Sequence, residues 1–247
     1  NAKNITLQKT LISEALNIAG HPNYDEGTGH GYAATIGGDK GSYHHNLLAH
    51  NAGRNWSMGG GLDGAGAYAG KVDMFNNVCY NWTTRTTDGG VHNGQFVNNY
   101  YKMGPASTHT LLFTADLEGT GSGTQEYYVN GNIRQAKGNG AETTHSYKAE
   151  GDGNIYKYKL SGGQVLDWTV FVNKPYFDSW ATIETANAAF KNVLSDVGCN
   201  YAGLDNHDVR MVSETLHGTT STTGSVGEKP GIIDATTDNG CEGFAGL

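Results

Sequence analysis

The residues able to do chemistry crowd into one stretch of the 247-residue chain, from His30 to Lys102. It holds the adjacent pair His44 and His45, His30, His92, the cations Lys40, Arg54 and Arg85, and the aromatic residues Trp56, Tyr68 and Trp82. His44 and His45 fall in an alternating, strand-like segment, which predicts that they point to opposite faces. Only one of them can then line a cleft, and the two make a poor pair of metal ligands. Asp63, Asp73 and Asp88 are available for a two-carboxylate glycoside hydrolysis, but nothing in their spacing groups them. Trp56, Tyr68 and Trp82 could offer apolar faces to a sugar ring, with Trp82, at the end of an alternating strand, reading also as core. Arg54 sits in a turn beside Gly53, where a surface role is the plain alternative to a chemical one. Asp25 and Glu26, in the polar loop 20–29, could bind a cation or simply be solvated acids.

A repeat positions these groups. Three residues, an Asn and an apolar residue recur as YHHN-Leu47, MFNN-Val78 and FVNN-Tyr100, with LQKT-Leu11 before and VNGN-Ile133 after. Aligned on residues 10, 46, 77, 99 and 132, the steps are 36, 31, 22 and 33. A basic period in the low twenties, lengthened by loop insertions, is the mark of a stacked architecture in which each unit buries its apolar face on its neighbours. The recurring residue is Asn, whose amide carries donors and an acceptor and can bond the next copy at a bend. That pattern predicts an all-β, parallel β-helix.

Composition agrees. Gly at 37 residues is roughly twice the usual ~7% share, as expected where many turns are needed. Charged residues are 16% of the chain and the net charge is −8, which argues against a nucleic-acid partner. No apolar run is long enough for a transmembrane helix. The chain enters a strand-like segment at once, NITLQKTLIS, which suggests a portion of a longer protein, or a piece completed by an N-terminal fragment or partner chain. Of three cysteines, Cys79 reads as a small core residue, while Cys199 and Cys241 are either a disulfide or free thiols.

Residues 1–180 are expected to form the β-helix and 181–247 a tail packed on it. LLFTAD (111–116), EYYVNGNIRQ (126–135) and VLDWTVFV (165–172) read as further β segments. In the tail, Ala186, Ala189, Phe190, Val193, Leu194 and Val197 follow helical spacing, with Thr185 as N-cap and Gly198 beyond the end. A second short helix follows, with Val209, Val212 and Leu216 on its apolar face and Gly218 after it.

SYHHNLLAHNAGRN, followed by VDMFNNVCYNW and FVNNYYKMGPAS, resembles the bacterial pectate lyases of polysaccharide lyase family one, over roughly residues 1–110. The resemblance implies a right-handed β-helix, secretion, an acidic plant-type polysaccharide as partner, and cleavage of 4-linked galacturonan by β-elimination, usually with Ca²⁺. Arg54 matches the position of the family's catalytic arginine, which is thought to act as the base. Arginine is a poor base in water, so the role requires other cations crowded around it in a dry cleft. Trp56 stands where the family has Pro, Ser57 where it has a second Arg, and Tyr32 where many relatives have Lys. Lys40 and Arg85 are candidates for the replaced charge, or solvated loop residues; His30, His44 and His92 could hydrogen-bond a sugar or orient Arg54. The family's Ca²⁺ carboxylates fall in coils that would precede Asn1, so the metal ligands are expected outside this chain.

Overall fold

The structure, a computed structural model, describes residues 2–117, 119–145, 147–161, 165–201, 203–224 and 229–236. The chain passes through β1 (Lys3–Gln8), β2 (Leu11–Ser13) and β3 (Thr35–Ile36), then β4 (Asp39–His44), β5 (Leu47–Ala49) and β6 (Ser57–Gly59). It continues as β7 (Lys71–Phe75), β8 (Val78–Tyr80) and β9 (Thr87–Gly90), then β10 (Asn93–Val97), β11 (Tyr100–Lys102) and β12 (Phe113–Leu117). β13 (Glu126–Asn130), β14 (Asn132–Gln135), β15 (Glu142–His145) and β16 (Tyr156–Leu160) complete the strands, and α1 (Ala186–Asp196) and α2 (Asn206–His217) follow.

The described residues are therefore mostly β, with parallel sheets and two helices. Up to β14 each strand pairs with the one three places on, giving three sheets: β1-β4-β7-β10-β13, β2-β5-β8-β11-β14 with an added antiparallel β15, and β3-β6-β9-β12-β16. In the first sheet Leu7, Tyr43, Met74, Phe96 and Val129 stand in one row. The main core gathers one face of all three sheets, including Met74 and Phe96, Leu48, Cys79 and Tyr101, and Met58, Phe113 and Ala115.

The Asn alignment is realised as contacts. Asn46, Asn77, Asn99 and Asn132 are buried at the bend between the first and second sheets. The amide N–H groups of Thr10, Asn46, Asn77 and Asn99 donate to the side-chain oxygen of the next member at 3.0, 3.2, 2.9 and 2.9 Å. Each Asn Nδ2 also donates to a carbonyl of the preceding unit, of Leu7, Tyr43, Met74 and Phe96 in turn. The residue before each position, Lys9, His45, Asn76, Asn98 or Gly131, has a φ between +49° and +67°. This corrects the expectation for His44 and His45. His45 lies in the left-handed bend outside β4, so the two rings meet, with their Nδ1 atoms 2.8 Å apart, instead of facing opposite ways.

The second sheet is apolar on both faces. Leu47, Val78, Tyr100 and Ile133 pack under Ala186, Val193 and Val197 of the α1 segment and Met211 of α2. Thr185 caps α1, accepting from Ala188 N, and Gly218, at φ +73°, ends α2. The expected apolar face of α2 packs only in part: Val212 lies against the core beside buried Met211, whereas Val209 and Leu216 are exposed and Glu214 and Thr215 are buried. Polar partners set this rotation. Arg210 donates twice to Glu14 at 2.8 Å, His207 lies 2.9 Å from Glu14, His50 lies 3.0 Å from Glu214, and Lys102 Nζ donates to the carbonyl of Leu216 at 2.8 Å. VLDWTVFV forms no strand; only Phe171 bridges to Tyr127, and Val165 is exposed. Cys79 is buried in the core and Cys199 is exposed; Cys241 lies outside the described residues, and with it the Cys199–Cys241 pairing.

Candidate functional site

Arg54 projects from the bend between β5 and β6, which backbone bonds hold from both sides. The carbonyls of Gly53 and Arg54 accept from Ala33 and Ala34 at 3.0 and 3.2 Å, and Asn55 N donates to Thr86 O at 3.0 Å. Three units of chain thus meet at this corner, bringing residues 32, 54 and 85 together across long sequence separations. Gly53 makes the approach possible, because a Cβ there would lie 2.9 Å from the Arg85 Cβ and 3.2 Å from the Tyr32 ring.

The guanidinium carbons of Arg54 and Arg85 both lie 4.9 Å from the centre of the Tyr32 ring. Stacking on an aromatic face offsets part of the cost of holding two like charges close, at roughly 0.5–2 kcal/mol per pair. The cations differ in their anions. Arg85 Nε donates to Asp88 at 2.7 Å. Burial disfavours the Arg85 charge, but the bond and charge of Asp88 outweigh it and push its pKa above the ordinary value. Arg54 makes no ion pair among the described residues, and its Nε is buried without a hydrogen-bond partner.

Loop 20–31 adds an aromatic stack to the same centre. His30 lies 4.4 Å from Tyr32, 4.5 Å from His21 and 4.9 Å from Tyr24, ring centre to ring centre. Desolvation, then His21, Arg54 and Arg85, lower the His30 pKa and so favour its neutral form, which carries one donor and one acceptor nitrogen. The centre as a whole offers uncompensated positive charge, a phenol and a neutral imidazole, which suits an anion that develops more charge during reaction.

Of the residues expected at a site, the structure brings together Arg54, Arg85 and His30. His44 is elsewhere: it is buried, stacked on Phe75 at 4.8 Å, and lines a 320 Å³ cavity under α1 with Lys9, His45 and Glu184. Burial, then His45, lower its pKa to about 4. His92 sits at the rim of a 760 Å³ cavity with Asp39, Tyr68 and Lys71, its Nδ1–H donating to Thr124 O at 2.7 Å. Lys40 is exposed at the start of β4. Trp56 cannot stack on a sugar as expected, because its side chain is 0% exposed within the main core; the chain turns it inward two residues before Met58 does the same from β6. Trp82 is core, its Nε1–H donating to His109 O at 2.8 Å. The carboxylates do not pair: Asp63 accepts from its own loop at Ala65 and Ala67, Asp73 is buried beside Gln95, and Asp88 belongs to Arg85.

Among the described residues, the surroundings of Arg54 do not group carboxylates for the Ca²⁺ that the resemblance implies. Around Arg54 the donors are guanidinium, imidazole and phenol groups, and the one adjoining carboxylate, Asp88, is held by Arg85. The one group of three His or carboxylate residues close enough for a metal among the described residues is Asp205, His207 and Asp208 at the start of α2, where His207 is already bonded to Glu14.

Sequence reasoning noted Tyr32 only as a substituted lysine and passed over His21 and Tyr24. Their signal was the run of His and Tyr at 21, 24, 30 and 32, masked by a loop composition that reads as solvated. No protein-family model matches the chain, and no curated protein does.

Proposed function

We propose that the strands wind as a right-handed parallel β-helix and that the chain is a secreted, pectate-lyase-like polysaccharide lyase, cleaving a 4-linked galacturonan by β-elimination. The visiting order of the three sheets and the Asn ladder support the winding. The observation that carries the activity is Arg54: a guanidinium with no carboxylate partner, sharing the Tyr32 ring with a second guanidinium in a corner built by three units of chain.

In the elimination the C5 proton is removed, its electron pair becomes the C4=C5 double bond, the C4–O4 bond breaks and O4 leaves with a proton. Charge accumulates at the C6 carboxylate on the way, and stabilising it is the demanding part of the step. Arg54, after giving one guanidinium proton to solvent under the push of the neighbouring Arg85 charge, is assigned as acceptor of the C5 proton, and Arg85 as partner of the carboxylate. Asp88 keeps Arg85 charged and fixed. His30 and Tyr32 are left to bond hydroxyls or protonate the leaving oxygen. Arg54 and Arg85 are the cations that this chain itself brings to the reacting carboxylate.

Ultraviolet absorbance of unsaturated uronide ends released from polygalacturonate tests the proposal, with Ca²⁺ or with chelator. Unsaturated product that is lost in Arg54→Ala is expected. Reducing ends without unsaturation would mean a hydrolase, and polymer retention without cleavage a binding scaffold.

A further inference from the structure

Beside the Arg54 centre, on the outward face of the third sheet, lies a polar cleft of 410 Å³ lined by Arg85, Asp88, His109, Asp116, Lys157 and Lys159 among others. Its floor follows from register. Asp88 of β9, Thr114 of β12 and Lys157 of β16 stand side by side across it, and Ser57 of β6 extends the same row beyond the cleft, so the outward face changes from hydroxyl to carboxylate to hydroxyl to ammonium, one strand spacing of ~4.8 Å at a time. The row begins three residues after Arg54, and Arg85 borders both the Tyr32 centre and the cleft.

Two groups in the cleft lack what their surroundings ordinarily supply. Asp88 is 7% exposed, and while its Oδ2 takes the Arg85 bond, its Oδ1 is buried with no hydrogen-bond partner among the described residues. A buried carboxylate oxygen left unbonded is costly, and a donor from a ligand would relieve it. Among the described residues the ion pairs of the cleft are Arg85 with Asp88 and Lys159 with Asp116, and the exposed ammonium of Lys157 has no anion among them. An unpaired acceptor near an unpaired cation asks for a ligand with a hydroxyl and an anionic group. Chloride or sulfate offers no donor for Asp88, a hydrogenphosphate is too compact to span the two strand spacings of ~4.8 Å from Asp88 to Lys157, and a cation would meet Lys157. An acidic sugar has both features.

We propose that this cleft is a second sugar subsite, continuing the polymer track from the Arg54 centre, in which Lys157 takes the carboxylate of an anionic sugar and Asp88 Oδ1 accepts one of its ring hydroxyls. The proposal rests on the polysaccharide-lyase reading and adds a direction to it: the bound chain runs along the row from Ser57 toward Lys157.

The test is KM as a function of length for oligogalacturonates of defined size, in the wild-type chain, Lys157→Ala, Asp88→Asn and Lys191→Ala. Lys191, exposed on α1, controls for the loss of one positive charge. KM should fall with length in the wild type, and Lys157→Ala should raise it by about tenfold, only for oligomers long enough to reach the cleft. Asp88→Asn should also raise it, with a further loss on short oligomers through Arg85. Equal rises in Lys157→Ala and Lys191→Ala at every length would overturn the subsite while leaving the lyase intact. Binding without cleavage would remove the lyase, and the same length dependence, read as Kd, would still decide the subsite. A wild-type chain that neither binds nor cleaves would remove both.

Discussion

The two corners of the chain on either side of the second sheet are built on opposite plans. At the Asn ladder every unit makes the same bend, a left-handed residue followed, at Asn46, Asn77 and Asn99, by a buried side chain that bonds its successor. At the corner between the second and third sheets the units differ: one contributes Tyr32, the next Arg54, the next Arg85, from loops of unlike length. The ladder satisfies every polar group it buries, whereas the other corner leaves Arg54 Nε and Asp88 Oδ1 unsatisfied. Repetition produces a bend that closes on itself, and variation produces one with bonding capacity left for a ligand.

This contrast predicts that the corners respond to mutation in different observables. Arg54→Ala should lower the rate of unsaturated product by about 10³-fold or more, while shifting unfolding stability by less than ~1 kcal/mol. A stability loss as large as the activity loss would place Arg54 on the structural side.

Asn77→Ala should do the reverse. It removes the acceptor of Asn46 N and the bonds to Tyr43 O and Asn99, all buried, at a cost of about 3–4 kcal/mol read from the urea midpoint. A small cost would mean that the ladder merely accompanies the winding.

The α2 dock should behave as a third structural joint, and pH isolates it. Burial works against the charge of Glu14, but bonds from His207 and Arg210 outweigh it and lower its pKa from 4.5 to about 2. Its contribution of about 3 kcal/mol is complete above pH 4.5 and drains away as pH falls toward 2. His207, raised by its bond to Glu14, contributes below its ordinary 6.5 and loses this as pH rises past its folded value. Unfolding free energies should therefore fall on acidification in the wild type and fall less in Glu14→Gln; parallel curves would assign the acid sensitivity elsewhere.

The smallest effect is expected at Tyr32. Tyr32→Leu keeps the bulk but removes the ring that both guanidinium groups share, and should cut kcat/KM by about tenfold. Tyr32→Phe, compared with it, separates the ring from the hydroxyl, and an unchanged rate in both would show that the cations hold themselves.

Much of the frame was legible before any coordinates. The steps of 36, 31, 22 and 33 reappear as the separations of the ladder bonds, because an Asn that must bond its own counterpart leaves a trace at a constant place in each unit. Thr185, Gly198 and the apolar spacing between them marked α1, since cap chemistry is local. The candidate site was legible only in its cations. Arg54 and Arg85 were visible as residue types, but the Tyr32 ring that joins them is a long-range contact, and Trp56 and the His44–His45 pair were misplaced because a single left-handed residue or an inward turn reverses a face without altering the pattern of residue types.

What the sequence determined by itself was what repeats locally: strand period, ladder register, helix caps, and the acidic, turn-rich surface. The tertiary structure decided which rows stack against which, and hence that Tyr32, Arg54 and Arg85 share a corner, that Asp88 and Lys157 share a cleft, and that α2 turns its polar side inward to Glu14 and His50. The reason is physical. Local propensity acts within a few residues, whereas the desolvation of a charge is settled by groups that only stacking brings within bonding distance.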